Sequence, residues 1–213
     1  MTVSVKICGL SDPASVACAV AGGAAMVGFV FFEASPRHLT PAHAATLTGN
    51  VPDGVTRVAL TVDADDALLA AIAATAGVDM LQLHGAETPD RVRDIRQRFG
   101  LAVMKMLPIA AAGDVAAAEA YEDVADRFIF DAKPPAGAAR PGGNATAFDW
   151  SLVKGIRCRK PWMLAGGLNA DNLADAVKIS GAQGVDVSSG VEDAPGVKSL
   201  EKIRAFLAAA KSL

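Results

Sequence analysis

The sequence predicts one (β/α)8 barrel, a parallel eight-stranded α/β fold of the TIM-barrel type, over residues 1–213. Short β-rich segments alternate with Ala-rich helical segments throughout the chain, a pattern typical of parallel strands joined by right-handed crossovers. The pattern repeats eight times in 213 residues, which suits a compact barrel. Hydrophobic residues make up 52% of the chain and aromatic residues only 5%, a composition that favours helices packed over a parallel sheet.

The predicted elements follow one another in regular order. Strands are predicted at 3–8, 26–31, 57–62, 80–83, 102–106, 127–131, 162–165 and 184–188. Helices are predicted between and after them, at 13–21, 41–47, 65–76, 89–99, 114–121, 150–154, 169–179 and 198–209. Several helices begin with a polar capping residue followed by proline, as at Asp12-Pro13 and Thr40-Pro41. Both features are typical of helix N-termini.

A doubly wound open sheet is the alternative fold. It would carry a phosphate-binding glycine loop after the first strand, and the segment 8–11 is not such a loop. The Gly- and Pro-rich stretch 134–143 is too long for a simple turn. In a barrel it predicts a mobile loop over the face that holds the site, where long loops are often functional.

Bulk composition excludes several classes of function. The net charge of −3 argues against a general nucleic-acid surface, so any anion site must be local. The N-terminus reads as a strand and not as a signal peptide, and no apolar run approaches the ~20 residues that span a bilayer. We therefore expect a soluble, cytoplasmic protein without membrane or nucleic-acid partners.

The sequence predicts neither a metal site nor a cofactor. The three cysteines, Cys8, Cys18 and Cys158, show neither a zinc pattern nor a disulfide framework. The three histidines, His38, His43 and His84, lack ligand spacing. Neither a dinucleotide-binding G-x-G-x-x-G motif nor a Walker loop is present.

The ends of the last two predicted strands carry the clearest chemical signal. Strand seven breaks into Gly166 and Gly167, and strand eight runs into Ser188, Ser189 and a glycine before a helix start. Backbone N–H groups, hydroxyls and a helix N-terminus together suit a phosphate. The loops after the last two strands are also the usual phosphate site of such barrels. The sequence therefore predicts a small phosphorylated metabolite as ligand.

Strands one and eight place further polar side chains inside the barrel. Period-2 alternation turns Lys6 and Cys8 inward, away from the apolar neighbours that face the helices. A lone cysteine is more often an inert core residue than a catalyst, so both interpretations of Cys8 stay open. Asp186 lies between two valines on strand eight. Because strands one and eight are neighbours in a closed barrel, Lys6 and Asp186 are expected to pair.

Four other strand-end residues are candidates. Asp131 ends strand six, where it is either a turn residue or a functional carboxyl group. Gln82 and His84 point the same way from strand four, either as hydrogen-bonded core groups or as site residues. Arg37 follows strand two and a rigid Ser-Pro turn, which would aim its guanidinium over the barrel mouth at a carboxylate or phosphate. A thiolate and a protonated carboxyl group suit proton transfers on a sugar phosphate.

The chain resembles the phosphoribosylanthranilate isomerase family of tryptophan biosynthesis. The matching blocks are Val5-Lys6-Ile7-Cys8-Gly9, Ser35-Pro36-Arg37, Leu81-Gln82-Leu83-His84-Gly85, Gly142-Gly143, Phe148-Asp149-Trp150, Leu164-Ala165-Gly166-Gly167-Leu168, Asp186-Val187-Ser188-Ser189-Gly190-Val191-Glu192 and Pro195-Gly196-Val197-Lys198. Each block alone is weak evidence, but their order at barrel spacing is specific.

The resemblance implies an Amadori rearrangement of N-(5-phosphoribosyl)anthranilate to 1-(2-carboxyphenylamino)-1-deoxyribulose 5-phosphate, without a cofactor. It implies that Asp131 is the general acid that opens the furanose ring and that Cys8 is the general base that removes the C2 proton. Arg37 would contact the anthranilate carboxylate, with Gln82 and His84 as further substrate-binding residues.

For the phosphate, the resemblance implies a grip made of Gly166, Gly167, Ser188 and Ser189, supported by Asp186. The proposed acid and base need opposite protonation states. We expect Lys6 to favour the Cys8 thiolate, and burial beneath the loop 134–143 to raise the pKa of Asp131. These roles predict a bell-shaped dependence of rate on pH.

Two departures from the family pattern stand out. The glycine-rich loop before Phe148 reads Gly142-Gly143-Asn144-Ala145, which puts its mobility in question. Thr61 stands where the family often has phenylalanine, which bears on barrel packing near the substrate ring.

Other functions remain as alternatives. Indole-glycerol-phosphate synthase would need a catalytic Lys/Glu set and an N-terminal extension, and a ribulose-phosphate epimerase would need a metal site. A non-catalytic phosphometabolite-binding subunit would bind without turnover. The sequence leaves open whether the protein is a monomer or a homodimer.

Overall fold

Eight parallel strands close into a barrel in this computed structural model, which describes residues 3–133 and 148–213. The strands are β1 Ser4–Cys8, β2 Met26–Phe31, β3 Thr56–Thr61, β4 Met80–Leu83, β5 Ala102–Ile109, β6 Arg127–Ala132, β7 Trp162–Leu164 and β8 Gly184–Val187. Each strand pairs with the next, and β8 pairs with β1 to complete the ring. The predicted fold class is confirmed.

Helices lie between the strands. They are α1 Pro13–Ala21, α2 Pro41–Thr48, α3 Asp66–Thr75, α4 Pro89–Phe99, α5 Leu173–Ser180 and α6 Leu200–Lys211. Two 3-10 segments, Ala112–Tyr121 and Trp150–Val153, stand where further helices were predicted. At α1 and α2 the side chains of Asp12 and Thr40 accept hydrogen bonds from the N–H three residues on, so the predicted caps hold.

Helix α5 begins later than the sequence predicts. The predicted helix started at residue 169, but Asn172 Oδ1 accepts a hydrogen bond from the Asn169 N–H at 2.9 Å. Its Nδ2 donates to the Gly167 carbonyl at 3.0 Å. Asparagine side chains bound to nearby backbone compete with helix formation, so 169–172 form a turn. That turn also fixes the loop after β7.

Helix α6 also begins later than predicted. Lys198, expected in the helix, belongs to a small antiparallel ribbon of β9 Glu192–Ala194 and β10 Val197–Lys198. Its Nζ donates to the Ser188 carbonyl and to Glu192 Oε1, both at 2.8 Å. These bonds hold the side chain at the barrel mouth instead of on a helix surface.

The barrel separates two apolar cores. The larger lies between the sheet and the helices. The smaller fills the barrel interior and consists of Met26, Val58, Met80, Met104, Met106, Ile129, Met163 and Ala165, so it contains five of the chain's six methionines. Polar side chains of the same inward face continue above this layer, at the carboxyl ends of the strands.

Thr61 does not face the barrel interior, contrary to the expectation that it bears on packing near the substrate. Val58 belongs to the interior core and Ala59 to the outer one, so alternation turns Leu60 inward and Thr61 toward the helices. Thr61 is fully buried there. The inward residue of this strand end is Leu60.

Neither part of the chain that the structure describes contains a helix long and apolar enough to cross a membrane. Within the same residues, no cluster of three or more His, Cys, Asp or Glu side chains could hold a metal ion. Cys8, Cys18 and Cys158 are all free thiols.

Candidate active site

The pair Lys6–Asp186 joins the first and last strands of the barrel. The two residues are register partners on β1 and β8, and Lys6 Nζ donates to Asp186 Oδ1 at 2.9 Å. Lys6 is fully buried. Burial lowers the pKa of Lys6, but Asp186 and Cys8 outweigh it, so the pKa lies above its ordinary value. Lys6 therefore stays charged, and the predicted pairing is confirmed.

Cys8 ends β1 one inward position above Lys6. Its side chain is buried and lies against Gly28, where a methyl group in place of the glycine hydrogen would come within 3.0 Å of Sγ and 3.1 Å of Lys6 Nζ. Burial raises the pKa of the thiol, and Lys6 only partly reverses this, so the pKa lies above its ordinary value. The expected help from Lys6 is present, but desolvation exceeds it.

Asp131 lies at the end of β6 with its carboxyl group inside the barrel mouth. Burial, and next the negative charge of Asp186, raise the pKa of Asp131 to about 7. The Ala132 N–H donates to Oδ1 at 2.7 Å and acts in the opposite direction. The carboxyl group is thus substantially protonated near neutral pH, as a general acid requires. The loop 134–143, predicted to bury it, lies outside the described residues.

Gln82 and His84 lie on the same inward face as Asp131. Both are buried, and Gln82 Nε2 lies 2.9 Å from His84 Nδ1. Nε2 of His84 faces Asp131 Oδ2 at 3.6 Å. Burial, and next the positive charges of Lys6 and Lys105, lower the pKa of His84 to about 3. The imidazole is therefore neutral at physiological pH.

Arg37 is held over the barrel mouth by a carboxylate that the sequence motifs did not single out. Its Nε and Nη2 donate to the two carboxylate oxygens of Glu192, each at 2.7 Å. Lys198 Nζ donates to the same carboxylate. Burial raises the pKa of Glu192, but Arg37 and Lys198 outweigh it and keep the carboxyl group ionised. Two cations around one anion leave a surplus positive charge for an acidic ligand.

Gly9 makes room for this arrangement. Its φ is +76°, and a Cβ at this position would collide with Cδ of Arg37. Glycine adopts this backbone conformation without strain. The glycine after β1 thus lets the Arg37 side chain pass directly over the strand end that carries Cys8.

The loops after β7 and β8 meet at the same mouth. Gly190, which follows β8, packs so closely on the loop after β7 that a Cβ at this position would collide with the Leu168 carbonyl oxygen. Gly166 and Gly167 lie on one side of this junction, and Ser188 and Ser189 on the other. Ser188 is also bound by Lys198, whose Nζ lies 3.3 Å from Oγ.

The structure brings together most of the predicted site residues at one end of the barrel. Cys8, Asp131, Gln82, His84 and Arg37 surround one mouth, beside the two glycine loops. Asp186 is the counter-ion of Lys6 inside the barrel, as predicted, and its support of the phosphate loops stays a prediction. Sequence reasoning missed Glu192, Lys198 and Asn172 as site residues. Glu192 and Lys198 belong to the motif blocks at 186–192 and 195–198. Their place in these blocks is the sequence signal that could have identified them.

Comparisons with known proteins bear on this site. A family profile described as N-(5'phosphoribosyl)anthranilate (PRA) isomerase matches residues 5–209. An N-(5'-phosphoribosyl)anthranilate isomerase of Paramagnetospirillum magneticum is 56% identical over 211 residues, covering 99% of this chain and 98% of the relative. One from Parvibaculum lavamentivorans is 54% identical over 213 residues, with 99% of each chain covered.

Solved structures agree with these relatives. The crystal structure of phosphoribosyl anthranilate isomerase from Thermotoga maritima superposes with a TM-score of 0.88 at 33% identity, covering 99% of this chain and 100% of that one. A phosphoribosyl anthranilate isomerase in complex with reduced 1-(o-carboxyphenylamino)-1-deoxyribulose 5-phosphate superposes with a TM-score of 0.85 at 32% identity, with the same coverage.

Proposed function

The chain belongs to the N-(5'-phosphoribosyl)anthranilate isomerase family, and from this premise we propose how its barrel mouth performs the reaction. The protein is an isomerase of tryptophan biosynthesis that converts N-(5-phosphoribosyl)anthranilate to 1-(2-carboxyphenylamino)-1-deoxyribulose 5-phosphate. In our proposal Asp131 is the general acid and Cys8 the general base. The carrying observation is a carboxyl group with a pKa of about 7 that shares one mouth with a buried thiol.

Asp131 opens the sugar ring. Its proton moves to the furanose ring oxygen while the C1–O bond breaks, with the electron pair of that bond going to oxygen. The anilino nitrogen supplies electrons to C1, so a Schiff base forms and the carboxylate of Asp131 remains. A carboxyl group that stays protonated near neutral pH supports this role.

Cys8 removes the C2 proton of the Schiff base. The electron pair of that C–H bond forms the C1–C2 double bond, and the nitrogen is neutralised as an enolamine, which tautomerises to the ketone. The base form of Cys8 is the thiolate. The ammonium of Lys6, fixed beside it by Asp186, stabilises this anion.

The substrate carries two negatively charged groups, a carboxylate and a phosphate. They match the surplus positive charge of Arg37 and Lys198 around Glu192. We propose that Arg37 binds the anthranilate carboxylate through the N–H groups that Glu192 leaves free. Gly166, Gly167, Ser188 and Ser189 hold the phosphate from the loops after β7 and β8. Lys198, which binds Ser188, adds a cation on that side. Gln82 and His84 line the mouth between these two binding regions.

The acid and base predict a specific pH dependence of kcat/KM. Below about pH 7, a rise in pH forms more Cys8 thiolate without loss of protonated Asp131. Between the two pKa values the gain of thiolate and the loss of acid cancel, and above the thiol pKa only the loss remains. We expect a bell whose ascending limb lies near the Asp131 pKa of about 7 and whose descending limb follows Cys8.

The decisive experiment follows the loss of anthranilate fluorescence on addition of freshly generated phosphoribosylanthranilate. We expect rapid decay with wild type and at least ~100-fold slower decay with Cys8→Ser and with Asp131→Asn. Urea unfolding of each variant checks that the fold is retained. Wild-type rates in both folded variants would exclude the acid–base pair, and an inactive, folded wild type would favour a non-catalytic binding subunit.

Two broader features belong to the same proposal. As an enzyme of amino-acid biosynthesis it would act in the cytoplasm, on a small phosphosugar. A phosphoribosylanthranilate isomerase of Thermotoga maritima is described as dimeric, and light scattering of this protein would decide between monomer and homodimer.

A further inference from the structure

The pair Gln82–His84 contains polar atoms that the proposed mechanism leaves unused. Both side chains are at least nine-tenths buried. His84 Nε2 and Gln82 Oε1 have no hydrogen-bond partner within the described residues. Unsatisfied buried polar atoms cost free energy and are rare in native proteins. Their place beside Asp131 suggests that the unpaired imidazole nitrogen has a partner during the reaction.

The contact with Gln82 determines which imidazole nitrogen carries the proton. Gln82 Nε2 is a donor and lies 2.9 Å from Nδ1 of His84, so Nδ1 accepts. A neutral imidazole then bears its hydrogen on Nε2. The carboxylate oxygen Oδ2 of Asp131 lies 3.6 Å from that nitrogen.

We propose that Gln82 and His84 position the general acid: Gln82 fixes the tautomer in which His84 directs its Nε2–H at Oδ2 of Asp131, and this donor stabilises the carboxylate that proton transfer leaves behind. The inference rests on the proposed role of Asp131 as acid. It makes His84 a positioning residue that acts through Asp131, in place of a residue that only binds substrate.

The geometry of Asp131 fits this role. Oδ1 already accepts the Ala132 N–H at 2.7 Å, and within residues 3–133 and 148–213 no hydrogen bond reaches Oδ2. At 3.6 Å the contact with His84 is longer than a hydrogen bond. Catalytic hydrogen bonds are often long without substrate and shorten in the reacting complex. A carboxylate on Asp131 would attract the Nε2–H more strongly than the protonated group does.

The surrounding charges keep the His84 imidazole neutral, so that its Nε2–H can donate a hydrogen bond without giving up its proton. Lys6 from β1 and Lys105 from β5 oppose protonation of the ring, as does burial. The charged groups that act on Asp131 are Asp186 from β8, which raises its pKa, and Lys6, which lowers it. In the proton-transfer step, Asp131 gives its proton to the ring oxygen of the sugar, and His84 keeps its own.

The pH profile of kcat/KM tests the proposal. In His84→Leu the carboxylate of Asp131 loses its hydrogen-bond donor, so the pKa of Asp131 should rise. We therefore expect the ascending limb of the pH profile to move to higher pH by about 1 unit. At about pH 6, where Asp131 is protonated in both proteins, kcat/KM should fall roughly 3- to 10-fold because a weaker acid transfers its proton less readily. His84→Gln keeps a side-chain N–H donor, and we expect it to retain most of the wild-type profile.

Two further variants separate positioning from packing. Met80→Leu changes an interior residue of the same strand and should leave the ascending limb in place. Gln82→Leu allows His84 to adopt either neutral tautomer. It should move the ascending limb of the pH profile in the same direction as His84→Leu, by a smaller amount. An ascending limb that stays in place while the rate falls at every pH would reduce His84 to a structural residue.

A measurement without turnover completes the test. The 13C NMR signal of the Asp131 carboxyl group, assigned by its absence in Asp131→Asn, gives the pKa directly in wild type and each variant. A higher pKa in His84→Leu but not in His84→Gln supports the proposal, and equal values in all variants overturn it. If Asp131→Asn keeps wild-type activity, the acid assignment itself is wrong. If Asp131→Asn is inactive and the limb does not move, only the role of His84 is excluded.

Discussion

At the scale of single residues, the site depends on burying groups that would be ordinary in water. Asp131 and His84 share one desolvated mouth, and desolvation disfavours the charged form of each. The pKa of Asp131 rises to about 7 while that of His84 falls to about 3. The His84 imidazole is therefore neutral at physiological pH, and Asp131 keeps its proton to a much higher pH than an exposed carboxyl group does. The two groups then have opposite effects on the pH dependence of stability.

Asp131→Asn should change how stability depends on pH. Between the unfolded pKa of about 4 and the folded pKa of about 7, the native protein holds a proton on Asp131 that the unfolded chain has released. The contribution of Asp131 to stability is therefore lost as pH rises through this window. We expect the difference in unfolding free energy, variant minus wild type, to grow with pH by a few kcal/mol, on the order of 4 kcal/mol at most.

Urea unfolding at several pH values measures this difference. His84 is common to both proteins and cancels in the comparison, although by itself it destabilises the fold as pH falls from about 6.5 toward its folded pKa of about 3. A difference that stays constant from about pH 4 to about pH 8 would show that the Asp131 pKa is not raised in the folded protein.

At the scale of elements, the loop after β4 is fixed from outside the barrel. Lys105 faces the helices from β5 and is almost fully buried. Its Nζ donates to the carbonyls of Leu83 and Gly85, at 3.2 and 2.6 Å, and to Glu87 Oε2 at 2.8 Å. The carboxylate of Glu87 also accepts the N–H groups of Asp63 and Gly85, both at 3.0 Å. This network holds the segment that carries His84 and joins it to the loop after β3.

Lys105→Met should destabilise the protein by about 3–5 kcal/mol, because it leaves the buried carboxylate of Glu87 without its counter-charge. The double variant Lys105→Met/Glu87→Gln removes both charges and should recover part of the loss, since the two residues interact directly. Urea denaturation of both variants measures the free energy of unfolding. Additive losses would mean that the two residues do not stabilise each other.

At the scale of the whole molecule, the barrel interior is divided along its axis. Methionine side chains from β2, β4, β5 and β7 fill the lower interior, and polar groups occupy the carboxyl ends of the strands. In barrels the lower layers contribute stability while the upper ends carry catalysis. A substitution in the methionine layer should therefore affect stability far more than turnover.

Met163→Ala tests this division. Met163 is fully buried in the interior core, and its truncation should cost about 2–5 kcal/mol through lost burial and a residual cavity. Met163→Leu conserves volume and should cost less than about 1.5 kcal/mol. We expect kcat/KM of both folded variants to stay within about threefold of wild type. A large loss of activity in folded Met163→Ala would show that the interior core also holds the mouth in shape.

The fold could be predicted from the sequence because it depends on local patterns that repeat. Strand and helix alternation determined the order of the elements, and the boundaries of β2, β4, α1 and α4 agree with the structure. Alternation within β1 and β8 was enough to predict the pairing of Lys6 with Asp186. Among the boundaries that failed, the starts of α5 and α6 are those where side chains bind distant or irregular backbone, and β5 continues three residues beyond its predicted end, to Ile109.

The candidate site likewise contains features that the sequence predicted and features that only the tertiary structure determined. Cys8, Asp131 and Arg37 stand at strand ends, so barrel topology alone predicted that they meet at one mouth. The partnership of Arg37 with Glu192 joins residues 155 positions apart, and no local pattern encodes it. The protonation states of Asp131, Cys8 and His84 were likewise decided by the tertiary structure, because desolvation and neighbouring charges depend on what the folded chain packs around each group.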